Sequence, residues 1–395
     1  MSKPVLSLAR SAARALLRNA SVEGAALWTR LAPRAARRLR NRQSWLLGGT
    51  SGAVYGDNAA ALHGYLREHH PDLDVYWVID RDSPDVARAR AVGPVLYRGA
   101  LGTYRRALLA HVIVISHGVH DVPGMTSRHS CAFAVHVGHG IHAFKNKRPP
   151  YLKTMDQFGD MFDLMLASSP FEKKIKERWG VGSDKIAVTG LPRYDVLLDK
   201  QHTTSPDPSR IVYMPTWRRN EPAAYARAVE GLIQSERLAQ LLSAYGARLD
   251  VVFHPMARDL LSSTISDPPS DLIRVADASD PQDLFVQAGA LVTDYSSVAW
   301  DFVFLDKPVL FYQFDRETYA ASFGPDMRGR AWPGAVSTTE AGLVADLERY
   351  LRGDLAADER LAQTVAAWKN DIFAFADDQN RARVVGAILR RLSNS

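Results

Sequence analysis

The feature that most constrains this chain is a regular alternation of short apolar runs with longer amphipathic segments, which starts at Trp45 and is interrupted once. Apolar runs of strand length separated by helix-length segments build β-α-β units and therefore parallel sheets. The first set of expected strands is Trp45 to Leu47, Val75 to Ile79, Val95 to Tyr97, Val112 to Ile115, Phe133 to Val137, Leu164 to Leu166 and Ile186 to Thr189. Helices are expected between them, over Asn58 to His69 and Phe171 to Trp179 for example. The stretch Lys200 to Arg210, rich in Ser, Thr, Asp and Pro, breaks the pattern and reads as a linker. The alternation resumes with Ile211 to Met214, Val251 to Phe253, Ile273 to Ala276, Ala290 to Thr293, Pro308 to Tyr312 and Ala335 to Ser337. Helical segments are expected over Ala224 to Tyr245, Gln282 to Ala288, Val298 to Leu305 and Thr339 to Leu351. This predicts an α/β chain of two Rossmann-like lobes, 43–205 and 206–375, with a cleft between them and a closing helix over 376–395.

The first 42 residues stand apart. Ten Lys and Arg against Glu23 give them +9, whereas the whole chain carries +6, so the body is left at −3. An acidic body without a recognised binding motif argues against nucleic acid as a partner. Within the arm, Val5, Leu6, Leu8, Ala12, Leu16 and Leu17 interleave with Arg10, Arg14 and Arg18, and Leu27, Trp28 and Leu31 precede the basic run Arg34 to Arg42. Such a basic amphipathic helix can lie on an anionic membrane, at about 1 kcal/mol for each basic side chain near the headgroups. It can equally pack on the body and point its arginines at water. No apolar run is long enough to span a bilayer, and no apolar core with a small-residue cleavage site marks a secretory signal. The single cysteine, Cys131, excludes an intrachain disulfide framework and a Cys-rich zinc site, which suits a reducing compartment.

Ligands of open α/β sheets bind beyond the carboxyl ends of the strands, so polar residues that follow apolar runs are the candidates for chemistry. Leu291-Val292-Thr293-Asp294-Tyr295-Ser296-Ser297 ends a strand in hydroxyls and leads into a helical segment with Asp301, a setting that suits a phosphate or diphosphate; simple helix capping by the serines is the plainer reading. Val135-His136-Val137-Gly138-His139-Gly140 ends a strand in a histidine between glycines, with Lys145 and Lys147 soon after, as expected of a general base beside an anionic substrate. His117 follows Val112 to Ser116 in the same way and competes for that role; His142 and His120 are weaker candidates. Tyr213 to Arg219 brings Arg218 and Arg219 to a strand exit, where a guanidinium can take phosphate oxygens, although Arg219 reads more naturally as a solvated loop residue. Val251-Val252-Phe253-His254-Pro255 ends another strand in histidine, as a phosphate or nucleoside contact or as a satisfied core residue.

Taken in order, Tyr55-Gly56-Asp57-Asn58, Tyr76-Trp77-Val78, His139-Gly140, Gly190-Leu191-Pro192-Arg193-Tyr194-Asp195, Pro215-Thr216-Trp217-Arg218, His254-Pro255, Thr293 to Ser297, Asp301-Phe302 and Lys307-Pro308 resemble the CDP-glycerol glycerophosphotransferase family. These are the teichoic-acid-type primases and polymerases of GT-B fold, and the resemblance runs from about Trp45 to Leu351. It implies that an acceptor hydroxyl attacks the phosphorus next to the polyol of a CDP-alditol and expels CMP. It also implies His139 as general base and His254, Thr293, Asp294, Ser296, Ser297 and Asp301 as donor-site residues, with Arg218 a further contact. His117, Lys145 and Arg193 are candidate acceptor or phosphate contacts. No cofactor is required; a divalent metal can assist phosphoryl transfer, but no carboxylate cluster for one is evident. Where many members continue from His-Gly into a Thr-Pro-Leu-Lys-like run, this chain has Ile141-His142-Ala143-Phe144-Lys145, a departure that bears on the acceptor. The expected setting is cytoplasmic, at the inner face of the membrane, in synthesis of a teichoic-acid-like or capsular polymer. The competing readings are a nucleotide-sugar glycosyltransferase of the same fold and a non-catalytic membrane adaptor.

Overall fold

The structure is a computed structural model that describes residues 43–125, 132–144, 161–216, 218, 222–253, 268–276, 281–323 and 329–394, with positions 20, 21, 23–28, 30, 31 and 34 of the N-terminal arm. Two all-parallel sheets form it. The first comprises β1 (Ser44–Gly48), β2 (Asp74–Ile79), β3 (Val95–Tyr97), β4 (Val112–Ile115), β5 (Phe133–His136), β6 (Leu164–Ala167) and β7 (Ile186–Val188), in the order β3-β2-β1-β4-β5-β6-β7. The second comprises β8 (Asp207–Tyr213), β9 (Arg248–Val251), β10 (Ile273–Val275), β11 (Ala288–Thr293), β12 (Val309–Tyr312) and β13 (Ala335–Ser337), in the order β10-β9-β8-β11-β12-β13. Central strands such as Val112–Ile115 and Leu164–Ala167 are buried at every residue, because helices cover both faces of a parallel sheet.

Every strand expected from the apolar runs is present, with ends that move by a few residues. The linker is shorter than expected. Helix Pro192–Thr203 runs into its start, and β8 begins at Asp207, pairing with Ala288, so three residues remain between lobes. The expected single helix over Ala224 to Tyr245 is two, Pro222–Ile233 and Glu236–Tyr245; Ser235 leaves helical geometry and its hydroxyl accepts the Leu238 N–H at 3.1 Å as an N-cap.

Each sheet reverses its winding once, between β1 and β4 in the first and between β8 and β11 in the second. Both reversals open crevices at the carboxyl ends of the strands. The lobes share one apolar cluster: Phe144, from the segment after β5, stacks on Trp300 (4.4 Å between ring centres) and Trp332 (4.9 Å) of the second lobe. Helix Glu359–Ile372 packs on helix Pro170–Arg178 of the first lobe, with Trp368 near Phe171 and Trp300. Helix Asn380–Ser393 then lies on the first lobe, where Asp195 accepts the backbone N–H groups of Asn380 (3.1 Å) and Arg381 (2.7 Å).

Candidate active site between the lobes

The first-lobe side of the site is built on the ends of β1, β4 and β5. Asp121, fully buried, ties two of these ends together: its carboxylate accepts N–H bonds from Ser51 (2.7 Å), Ser116 (3.1 Å), His117 (2.8 Å) and Gly118 (3.2 Å). This holds Thr50 and Ser51 at positive φ, a conformation that non-glycine residues adopt only under external constraint. Thr50 then donates its N–H to His117 Nδ1 at 3.3 Å, so the His117 proton sits on Nε2.

His139 stacks on His117, with ring centres 4.4 Å apart and planes 13° from parallel. Its Nδ1 lies 3.3 Å from the Ser116 carbonyl. A carbonyl can only accept, so Nδ1 carries a hydrogen, and in the neutral ring Nε2 then carries the lone pair. The two histidines therefore differ in tautomer: His139 has a basic Nε2, whereas His117 has its acceptor nitrogen turned to Thr50. Behind them His142 meets the Glu172 carboxylate at 3.3 Å, and Glu172 also takes the Ser168 N–H (2.7 Å) and pairs with Lys176 (3.3 Å). Burial alone would raise the Glu172 pKa; Lys176 and His142 pull it well below the usual carboxylate range, so it is ionised. His136 points into the core against Phe162, and burial holds its pKa well below the usual value.

Asn58 and Arg193 fix the loop that carries His139. Fully buried Asn58 donates to the Gly138 carbonyl at 3.0 Å and accepts the Arg193 N–H at 3.1 Å. The Arg193 guanidinium reaches Asp57 (3.4 Å), the His139 carbonyl (3.4 Å) and, in the other lobe, Asp301 (2.5 Å). Asp301 is 1% exposed and its Oδ1 has no hydrogen-bond partner among the described residues. Burial raises its pKa to about 7, against the pull of Arg193 and with a push from Asp57. Arg193 and Asp301 thus bridge the lobes rather than line an open surface. The second lobe adds Gln282, whose amide donates to the Arg193 carbonyl at 3.0 Å.

On the second-lobe side, much of the expected donor set is turned inward. Thr293 donates its hydroxyl to the Met214 carbonyl (2.6 Å). Asp294 accepts the Thr216 N–H (3.0 Å) and hydroxyl (2.5 Å), its neighbour's N–H (2.6 Å) and Arg218 (2.8 Å). Arg218 is 6% exposed and also binds Asp315 (2.6 Å) and the Thr216 carbonyl (2.7 Å) beneath the Tyr319 ring. Its guanidinium braces the ends of β8, β11 and β12, because a buried cation is stable only when its N–H groups are paired. Ser296 and Ser297 are the members of the string left partly exposed. Ser297 faces the His139 loop: a Cβ added at Gly140 would come within 2.5 Å of the Ser297 hydroxyl, so glycine keeps this approach open. The Ser296 hydroxyl instead accepts the Val298 N–H at 3.4 Å, as a helix-capping serine does. His254, Lys145, Lys147, Trp217 and Arg219 lie outside the described residues. Among the described residues, no group of three or more His, Cys, Asp or Glu side chains is placed to hold a metal ion.

Asp121, the Glu172 and Lys176 partners behind His142 and the Asp315 partner of Arg218 escape the sequence reading, since none lies in a recognisable strand-end string. The one available signal was the spacing of Glu172 and Lys176, an i,i+4 pair on a helix.

Two parallel sheets, each reversing its winding once, with a histidine-bearing strand exit on one side and a hydroxyl-bearing strand exit on the other, define a two-lobed α/β fold of GT-B type. The chain belongs to the CDP-glycerol:poly(glycerophosphate) glycerophosphotransferase family, whose pattern matches residues 32–390. It is 24% identical over 370 residues to the minor teichoic acid biosynthesis protein GgaB of Bacillus subtilis, covering 86% of this chain but 39% of that protein. It is 26% identical over 369 residues to the teichoic acid glycerol-phosphate transferase of Staphylococcus aureus, covering 86% of this chain and 91% of that one. The structure of the wall teichoic acid polymerase TagF superposes with a TM-score of 0.70 at 17% identity, over 95% of this chain and 98% of that chain.

Proposed function

We propose that the protein transfers an alditol phosphate, glycerol phosphate in the first instance and ribitol phosphate in the second, from a CDP-alditol to a hydroxyl of a lipid-linked or polymeric acceptor, with release of CMP. The product is a chain of teichoic-acid or capsular type. The observation that carries this reading is the His139 tautomer on a loop that Ser297 approaches at Gly140. Nε2 takes the proton of the acceptor hydroxyl as its oxygen bonds to the polyol-side phosphorus, the P–O bond to CMP breaks, and the exposed serines with their backbone amides hold the diphosphate. Phosphoryl transfer asks chiefly for positioning and charge stabilisation, which the braced strand exits supply. The names of the curated relatives, a glycerol-phosphate transferase among them, support the same donor class.

The arm fits a membrane-surface role. Ala25 and Ala26 pack on Tyr104 and Leu108, Arg105 lies over Trp28 (4.6 Å), and Leu27 and Leu31 remain 55% and 74% exposed one turn apart. No helix among the described residues is long and apolar enough to cross a membrane. We place the protein at the inner face of an anionic membrane, held by this arm.

Incubation of the purified chain with CDP-glycerol or CDP-ribitol and a polyol-phosphate primer should release CMP. Release of UDP or GDP from a nucleotide sugar, with no CMP from any CDP-alditol, would replace this reading by a glycosyltransferase. Co-sedimentation with vesicles containing anionic lipid should be lost on deletion of residues 1–42, while turnover on a soluble primer persists; unchanged sedimentation would remove the membrane role.

A further inference from the structure

The stacked histidines differ in what holds their Nδ1 atoms, and the difference gives each ring a separate task. His117 Nδ1 receives the Thr50 N–H at 3.3 Å and lies 2.9 Å from the Ser116 hydroxyl. An amide N–H can only donate, so this nitrogen carries a lone pair, the hydroxyl donates to it as well, and the ring is neutral with its hydrogen on Nε2. A proton on Nδ1 would confront both donors. When His139 takes a proton on Nε2, the ring stacked 4.4 Å from it has to stay neutral, because two parallel imidazoliums repel. His117 is thus held back from acting as a second base.

The parts that hold it lie in the backbone around it. Fully buried Asp121 takes the Ser51 N–H on Oδ1 and the N–H groups of Ser116, His117 and Gly118 on Oδ2. One carboxylate therefore fixes both the Thr50-Ser51 turn, at φ 48° and 52°, whose amide faces the ring, and the strand exit that carries the ring. Gly49 leaves room for the Ser116 hydroxyl, since an added Cβ would lie 2.7 Å from its oxygen. What remains over is the His117 Nε2–H, which meets no acceptor among the described residues although the ring is half-buried.

We propose that His117 is the hydrogen-bond donor of the pair, that it binds the acceptor hydroxyl on the carbon next to the attacking one, and that Asp121 is its positioning residue. The acceptor contact rests on the transfer reaction proposed above; the division of tautomers does not. Among the described residues, His117 touches Thr50, Ser116, Asp121 and His139, all of the first lobe, whereas the His139 loop meets Ser297 of the second lobe at Gly140. A group held by His117 therefore belongs to the molecule on the first lobe, not to the diphosphate. Both rings turn Nδ1 to Ser116, so both Nε2 atoms face away from it, a lone pair beside an N–H. Hydroxyls on adjacent carbons match that pair. One gives its proton to His139 as its oxygen bonds to phosphorus and CMP leaves; the other accepts from His117 and fixes which hydroxyl attacks.

Two measurements on the full chain test this. Nitrogen NMR of isotopically labelled histidine, with both rings assigned through the variants, should place the hydrogen on Nε2 in His117 and on Nδ1 in His139. Asp121→Asn, which turns an amide NH₂ against the Ser51 N–H, should give His117 mixed tautomers. The second measurement compares a primer ending in a vicinal diol with one in which hydrogen replaces the neighbouring hydroxyl, by kcat/KM for CMP release and by calorimetric affinity. The wild type should prefer the diol about tenfold, as for one hydrogen bond between neutral groups. His117→Phe, which can stack but not donate, should lose the preference. His117→Gln, whose amide accepts from Thr50 and donates in place of Nε2 but takes up no proton, should regain it. A hydrogen on His117 Nδ1, or an unchanged diol preference in His117→Phe, overturns the proposal, and so does His117→Gln as inactive as His139→Ala. Failure to release CMP from any CDP-alditol sinks the transfer reaction instead, and the calorimetric comparison still decides the diol contact.

Discussion

Replacing Asp301 with asparagine removes a carboxyl that titrates near neutrality inside the bridge between the lobes. Its pKa rises from 3.8 to about 7 on folding, with burial the largest cause. Between those values the folded chain holds a proton that the unfolded chain has released, so stability falls as pH rises through this window. At 1.36 kcal/mol per pH unit, the two units from pH 5 to 7 and the end of the titration above 7 cost the wild type about 3 kcal/mol by pH 8. Asparagine keeps the shape, can still accept from Arg193, and does not titrate. Urea unfolding of both proteins at pH 5, 6, 7 and 8 should therefore show the variant gaining about 3 kcal/mol relative to wild type across the series. Taking the difference at each pH cancels every other titrating group. A difference that stays flat within about 0.5 kcal/mol would mean that Asp301 ionises normally in the folded chain, and that the Arg193 pairing outweighs its burial.

Other perturbations separate chemistry from scaffolding. His139→Ala should lower turnover about 10²- to 10⁴-fold while calorimetric affinity for CDP-glycerol persists, and His117→Ala should cost less; the reverse order would move the base to His117. Gly140→Ala forces the Ser297 hydroxyl aside and should depress turnover without lowering the unfolding midpoint appreciably. Arg218→Lys cannot reproduce the bonds to Asp294, Asp315 and the Thr216 carbonyl and should destabilise by roughly 3 kcal/mol, read by urea unfolding. Lys307→Met leaves the carbonyls of Phe285, Val286 and Ala288 without their shared ammonium, a loss of about 2 kcal/mol in the same assay.

The alternation of apolar runs was enough to reach both sheets, since a strand buried on both faces leaves an uninterrupted signature such as Val112–Ile115. The split at Ser235 was hidden because amphipathic periodicity continues across it, and the short linker because Asp207 and Pro208 begin an inner strand, paired with β11, despite poor strand propensity. At the site, His117, His139, Arg218, Thr293 and Asp294 stand at or just after the ends of β4, β5, β8 and β11, as the apolar runs place them. Strand-end position could not tell which way a polar side chain turns there. Whether Arg218 meets a ligand or a carboxylate depends on Asp315, 97 residues away in sequence, and no local spacing encodes that contact. The Arg193 to Asp301 bridge, 108 residues long in sequence, is hidden for the same reason.

Phe144, sandwiched between the indoles of Trp300 and Trp332, has a kinetic consequence. Wide separation of the lobes would draw a buried aromatic ring out of its slot, at about 2 to 3 kcal/mol for the ring alone, and would expose both tryptophans as well. An opened form would then be a minor species. Donor and acceptor would have to thread into a gap of nearly fixed width, and binding transients should show a single concentration-dependent phase with no slow closure step behind it.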